Sequence, residues 1–438
     1  MAGRGPGRRW RAGPLLGLLV LAGICTGAVP GENASSDRPR AGAVRPVAAD
    51  AANTADAARL RTVRALLSAR ASALLRHDRA GWLAGVDPAA RAFRARQAAL
   101  LTGIAAVPID TWRYTIEPGD EAGRIEAGGG WTVRVTLRYA LRDADPAPTE
   151  RPLVLTFVPR GGRWLAAADD HRGPDGATTW RGPWEHGRLV VRAGAASLVL
   201  AHPDNAGRLA ELAATADAVV PRVRAAVGGR LPRRVAVIVP DDEREMAALV
   251  GEKLVLGAIA AVAVADTVDT DRDQALGQRI VVNPANIDRV GKLGRRVVLE
   301  HEVTHLATRG FTGPLTPIWL VEGLADLVAY RDSGLSDHLV ADQLHAALGA
   351  GHWPGRLPGP ADFKGESPRL ALAYEEAWSA CRLIADRAGP IGLLRLYRAV
   401  GIAPDPTAEL DTQLRALLHA GTAQFTVQWR HSVQVEFG

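Results

Sequence analysis

The sequence predicts an α+β protein. A helix-plus-antiparallel-sheet module comes first, then a larger domain with a small mixed sheet and a mostly helical C-terminal half. Three observations carry this. Apolar residues recur at three- and four-residue steps from Ala51 to about Ala105. They then alternate in short runs bounded by Gly and Pro, and helical spacing returns from Asn286 onward. Hydrophobic residues make up 47% and charged residues 23%, enough apolar material to close a core without a disulfide scaffold. A length of 438 residues allows two or three domains.

At the N-terminus, Arg4, Arg8, Arg9 and Arg11 precede a short apolar run from Leu15 to Ile24, and Thr26-Gly27-Ala28 follows. A basic head, an apolar stretch and small residues at the cut form the signal-peptide layout, so residues 1–28 are read as a leader cleaved after Ala28. The alternative is a retained membrane anchor, although the run is shorter than the about 20 apolar residues of a comfortable span. Cys25 follows Ile24, where a lipoprotein signal wants a small residue. The expected location is extracytoplasmic, secreted or tethered to the outer face of the membrane. With the leader removed only Cys381 remains, so the mature chain has no internal disulfide, and this Cys reads as a small core residue. Residues 29–50, rich in Pro, Gly, Ser, Asp and Ala, read as a flexible linker.

Residues 51–185 form the first module. Leu60, Val63, Leu66, Leu67, Leu74 and Leu75 mark one helix, and a second is expected over Pro88–Leu101. Alternation predicts strands at Thr111–Ile116 and Trp131–Tyr139. Leu153–Val158 and Arg163–Ala167 should form a hairpin around Gly161-Gly162. This order resembles the cone-shaped fold of nuclear-transport-factor-2-like domains.

Residues 186–438 form the second domain. Strands are expected at Leu189–Arg192, Ser197–Ala201, Arg234–Val239, Ile259–Ala265 and Arg279–Asn283. A helix over Asn205–Val227 has Asp204 as its expected N-cap and Gly228-Gly229 as its stop. The loop Gly349–Pro368 interrupts the helical half, as a gate over a cleft or as a plain connector.

The formal charge is +6, yet Lys253, Lys292 and Lys364 are the only lysines among 53 basic residues, and Arg is spread through every segment. A nucleic-acid binder would cluster Arg with aromatics along one element, so no nucleic-acid partner is expected.

The chemistry concentrates in Val298-Leu-Glu-His301-Glu302-Val-Thr-His305. Histidines four apart on a helix project from one face, one turn apart, and can both reach one Zn²⁺. Glu302 lies beside them, able to reach a metal-activated water without being a ligand. Among 11 His residues an accidental match has odds on the order of one in a hundred, so a third ligand decides the matter. Downstream, Pro317-Ile-Trp319-Leu-Val-Glu322-Gly323-Leu-Ala325-Asp326 reads as a helix with Pro in its first turn. A carboxylate at Glu322, in so apolar a stretch, is costly unless paired or bound to metal. Asp326 shares its face and is placed to accept the free N–H of a ligand histidine. Gly323 and Ala325 should let this helix approach the first.

These two segments resemble the gluzincin zinc metallopeptidases, and more closely the bacterial peptidase-MA-like domains with their Trp-x-x-Glu-Gly-x-Ala signature. The resemblance implies a zinc cofactor held by His301, His305 and Glu322, Glu302 as general base, and Asp326 as the group that orients a histidine. It implies hydrolysis of a peptide or protein substrate. The chain lacks the Gly-Ala-Met-Glu-Asn type segment with which related aminopeptidases hold an amino terminus, which speaks against that activity. Tyr374 lies where related domains carry a Tyr at the start of a late helix. It is the candidate oxyanion donor, with packing at that helix as the competing reading. His345 and His352 are further candidates. Ile259–Ala265 or Arg279–Asn283 would bind substrate backbone by strand addition. The alternative function is a non-catalytic extracytoplasmic binding protein that retains a metallopeptidase fold.

Overall fold

A computed structural model describes residues 47–173, 176–251 and 259–438. The leader and most of the linker lie outside the described residues. Helix α1 (Val47–Leu75) starts inside the stretch read as linker. Among the described residues, no helix is long and apolar enough to cross a membrane.

Helices α2 (Arg79–Ala84) and α3 (Arg91–Ile104) follow. The start of α3 falls three residues beyond the expected Pro88. The Asp87 side chain accepts the Ala89 N–H at 3.0 Å and turns the chain there before the helix begins. Strands β1 (Ile109–Thr115), β2 (Arg124–Ile125), β3 (Trp131–Leu141), β4 (Thr149–Arg160) and β5 (Arg163–Ala168) form an antiparallel sheet. Its order is β1-β3-β4-β5, with β2 on β3. Trp131, Val133, Val135, Leu137 and Tyr139 all turn inward, as strand alternation requires. Gly161 and Gly162 adopt positive φ between β4 and β5, which the tight hairpin needs.

The second sheet is mixed. It contains β6 (Val190–Ala193), β7 (Ser197–Ala201), β8 (Val235–Val239), β9 (Ala261–Val264) and β12 (Arg279–Val282). The order is β6-β7-β8-β12-β9. β7, β8 and β12 run parallel, and β6 and β9 are antiparallel edges. Helix α4 (Leu209–Val227) crosses from β7 to β8, and α5 (Glu243–Val250) follows β8. A hairpin of β10 (Thr267–Asp269) and β11 (Gln274–Leu276) joins β9 to β12. The expected cap at Asp204 is not used. Pro203 opens a 3₁₀ turn through Arg208, and α4 begins at Leu209 without a side-chain cap.

Helices α6 (Pro284–Ile287), α7 (Gly291–Thr308), α8 (Ile318–Tyr330), α9 (Asp337–Val340) and α10 (Asp342–Gly349) come next. They are followed by α11 (Leu370–Ile402), α12 (Pro406–Leu418) and α13 (Thr422–Phe437). Gly389, at φ 74°, breaks α11 just before Pro390. At its C-terminal end α7 does not stop at a glycine. The helix passes into a 3₁₀ turn at Arg309–Phe311, and Gly310 gives room to Asp273, which a Cβ would meet. Gly323 does not face α7 either: its missing side chain lets α8 press against the Ala377 carbonyl and Cys381 Sγ of α11.

The two faces of the second sheet bury different things. Val199, Val237, Ala263 and Ile280 face α4, α7 and the helical half. Leu198, Leu200 and Ala236 face the first sheet and share one apolar cluster with Val135, Tyr139 and Trp184. Ion pairs cross the same boundary. Arg279 makes a two-pronged bond to Asp145 at 2.6 and 2.7 Å, and Asp266 accepts from Thr149 at 2.6 Å and pairs with Arg151.

Candidate metal centre

Helix α7 is buried all round from Val297 to Thr308, and α8 crosses it with Trp319 to Asp326 buried. This crossing puts the sequence-predicted residues in one place. His301, Glu302 and Glu322 have no exposed surface, and His305 is buried. The Nε2 atoms of His301 and His305 lie 2.9 Å apart. Glu322 Oε2 lies 3.3 Å from the first and 3.4 Å from the second. Bonds of about 2.0–2.2 Å in a tetrahedron would set neighbouring ligand atoms roughly 3.3 Å apart. The three atoms therefore stand as corners around one point.

Hydrogen bonding fixes which atoms are available. His301 Nδ1 lies 2.8 Å from Asp326 Oδ1. Facing a carboxylate, Nδ1 is the donor, which leaves the Nε2 lone pair for the shared point. Neither oxygen of Glu322 has a hydrogen-bond partner, although both are buried. Glu302 uses one oxygen: Oε2 accepts the Ala263 N–H at 2.7 Å, and Oε1 is buried without a partner. Orphaned carboxylate oxygens in a protein interior are costly and mark a place where a cation fits.

The charges lead to the same place. In the metal-free protein burial pushes the Glu302 carboxyl up to about 8, helped by Glu322. Burial also opposes ionisation of Glu322, but His305 and His301 outweigh it and hold that carboxyl down to about 2. Burial pulls His301 down, and Asp326 more than reverses this, so His301 sits well above its ordinary value. His305, opposed chiefly by burial, sits below its ordinary value. Two imidazoles converge with Glu322, while Asp326 and Glu302 flank them. A divalent cation balances such an arrangement. The buried His301–His305–Glu322 group is compatible with a zinc site.

Tyr374, near the start of α11, lies beside the cluster. Its ring centre is 6.3 Å from that of His301 and packs edge-on against Phe363. Phe363 belongs to the loop Gly349–Pro368, so that loop reaches the flank of the site. His345 lies elsewhere: Nδ1 donates to the Phe437 carbonyl at 2.7 Å and ties α10 to α13. His352 is exposed. Of the two strands considered for substrate backbone, Arg279–Val282 lies inside the sheet between β8 and β9, so of the two only β9 is an edge strand, and at Ala263 its outer edge is bonded to Glu302 and Arg309.

One residue escaped the sequence reading. Arg309, at the end of α7, is buried and donates from Nη2 to the Ala263 carbonyl at 2.9 Å. Its signal is spacing: it stands seven residues after Glu302, two turns along the same helix face.

No protein-family model matches this chain, and no curated protein matches it. Among solved structures, it is similar to a point mutant of an M1 zinc metallopeptidase from Deinococcus radiodurans. That similarity has 13% identity and a TM-score of 0.34, covering 75% of this chain and 70% of that one. The unmutated enzyme gives 14% identity and a TM-score of 0.33, covering 74% and 69%. A form of the mutant bound to a Tyr-Ser-Ala substrate gives 14% and 0.30, again covering 74% and 69%. At such distances the site's own geometry decides what the chain can do.

Proposed function

We propose that the chain is a zinc-dependent metallopeptidase that hydrolyses peptide bonds outside the cytoplasm. The observation that carries this is the unpartnered Oε1 of Glu302 beside three converging ligand atoms. A purely structural zinc site closes its coordination with protein ligands, usually Cys-rich, and has no use for a free base at its edge. His301, His305 and Glu322 would hold the ion, with Asp326 keeping the His301 ring in its ligating tautomer. Zinc held there would supply Lewis acidity, bringing water towards a neutral pKa and polarising a carbonyl.

The rest falls to the chain. Glu302 Oε1 takes the proton of the attacking water as its oxygen bonds to the carbonyl carbon. The same oxygen then delivers that proton to the amine nitrogen as the C–N bond breaks. Oε2 stays held by Ala263 throughout. Tyr374 is the side chain nearest the role of oxyanion donor, since a phenol beside the ligand histidine can donate to a developing negative oxygen. The extracytoplasmic location rests on the Arg-rich head and the Leu15–Ile24 run.

The test is zinc stoichiometry with turnover of a peptide library by the full chain, beside His305→Ala and Glu302→Gln. The expected result is one zinc in the wild type and in Glu302→Gln, and none in His305→Ala. Turnover should be confined to the wild type, with Glu302→Gln down by roughly 10²–10⁴-fold. A folded wild type that takes up no added zinc would sink the reading. Zinc binding without turnover would favour a binding protein on a metallopeptidase fold.

A further inference from the structure

Helix α7 holds the outer edge of β9 at Ala263. β9 pairs with β12 along its inner edge. Its other edge faces α7, where both backbone groups of Ala263 are taken: the N–H by Glu302 Oε2 at 2.7 Å, the carbonyl by Arg309 Nη2 at 2.9 Å. Glu302 is fully buried, and Ala263 and Arg309 nearly so. The N–H and carbonyl of one strand residue point the same way. Groups seven apart on a helix share a face. One helix can therefore hold one residue at both ends.

The choice of Arg is informative. A single backbone carbonyl at a sheet edge needs only a neutral donor, and a buried guanidinium is costly unless its charge has a use. Here it stands on the face that carries Glu302. β9 is also anchored three residues farther on, where Thr149 and Arg151 hold Asp266. The strand is fixed from two sides, and Ala263 cannot shift along α7 without breaking both bonds.

We propose that Arg309 is a positioning residue for the reaction: through the Ala263 carbonyl it fixes the peptide whose N–H holds Glu302 Oε2, and so aims Oε1 at the ligand site. This rests on Glu302 being the general base. In this role Arg309 acts through the strand, by its bond to the Ala263 carbonyl.

The test uses the full chain with Arg309→Lys, Arg309→Gln and Arg309→Met, all below their melting temperatures. The first readout needs no metal: amide exchange resolved to Ala263 in the zinc-free protein. Exchange at Ala263 should accelerate about tenfold or more in Arg309→Met, and least in Arg309→Lys, which keeps the charge and a donor. The second is steady-state kinetics of the zinc-loaded protein. kcat should fall roughly 10–100-fold in Arg309→Met, with KM and zinc content unchanged and partial recovery in Arg309→Lys. Unchanged exchange at Ala263 would overturn the proposal. So would kcat, KM and zinc content falling together with no recovery in Arg309→Lys. An inactive, zinc-loaded wild type would overturn the peptidase reading and with it the role in a reaction. The exchange readout would still decide whether Arg309 holds the strand on Glu302.

Discussion

The His301 ring is oriented by Asp326, and the Asp326 carboxylate is raised by burial while the histidine draws it down. Replacing it with Asn leaves a group of the same shape that no longer balances the imidazole charge. Asp326→Asn should weaken zinc binding by roughly 10–100-fold, read by competition with a chelator of known affinity. Unaltered affinity would mean that Asp326 does no more than fill space. A third buried histidine gives a pH signature away from the candidate metal site. His202 Nε2 lies 3.0 Å from Glu245 Oε1 and Nδ1 lies 3.1 Å from the Arg188 carbonyl, so both nitrogens face acceptors. Burial opposes the charge, but Glu245 and Asp241 outweigh it and raise the pKa. The bound proton thus stabilises the fold fully below the unfolded value of about 6.5, and this contribution is lost as pH rises through the folded value. Melting curves across pH should show that loss in the wild type and not in His202→Gln. At this scale the buried cluster was legible because His301, His305, Glu322 and Asp326 obey local helical spacing. Arg309 was not, because its partner is a backbone carbonyl 46 residues away and backbone groups leave no trace in residue types.

Most helices and strands follow periodicity, and their ends depart where a short-range bond intervenes, as at Asp87 before α3 or Pro203 before α4. Which neighbour an element meets is harder to read. Gly323 is a small residue beside Glu322, and proximity in sequence suggested contact with α7. The fold sends it to α11, because Glu322 and Asp326 already occupy the face towards α7 and Gly323 points elsewhere around the helix. The obstruction to a side chain there is the Ala377 backbone, which cannot move aside. Gly323→Ala should cost about 1–3 kcal/mol, measured by urea unfolding. Ala377→Gly in the same chain should not restore it, since the carbonyl remains. Full stability in Gly323→Ala would show that α8 and α11 have room to part. The two candidate edge strands posed a similar problem. Ile259–Ala265 is apolar throughout and Arg279–Asn283 has an apolar centre, and only the order of pairing puts one inside the sheet.

For the whole molecule, the sequence reads as two modules divided near residue 185. In space the first module covers a face of the second sheet. Leu189, Leu198, Leu200 and Ala236 belong to its apolar cluster. Arg279, on the strand beside β9, finds its carboxylate in Asp145, whose side chain has no exposed surface. Sequence could not show this, because alternation in Ser197–Ala201 and Val235–Val239 is hidden when both faces are apolar and buried. Residues 186–438 expressed alone would expose that face and leave Arg279 and Asp266 without Asp145, Thr149 and Arg151. Removing one partner of a buried ion pair costs about 3–5 kcal/mol, comparable with the whole stability of many domains. The fragment should therefore be insoluble or loosely packed and take up no zinc. The full chain should unfold in one transition whether read by tryptophans of the first module or by zinc release. Asp145→Ala should weaken both readouts together. A soluble fragment with full zinc content, or a first module that melts while zinc stays bound, would show that the shared core is dispensable and that the second domain builds its site alone.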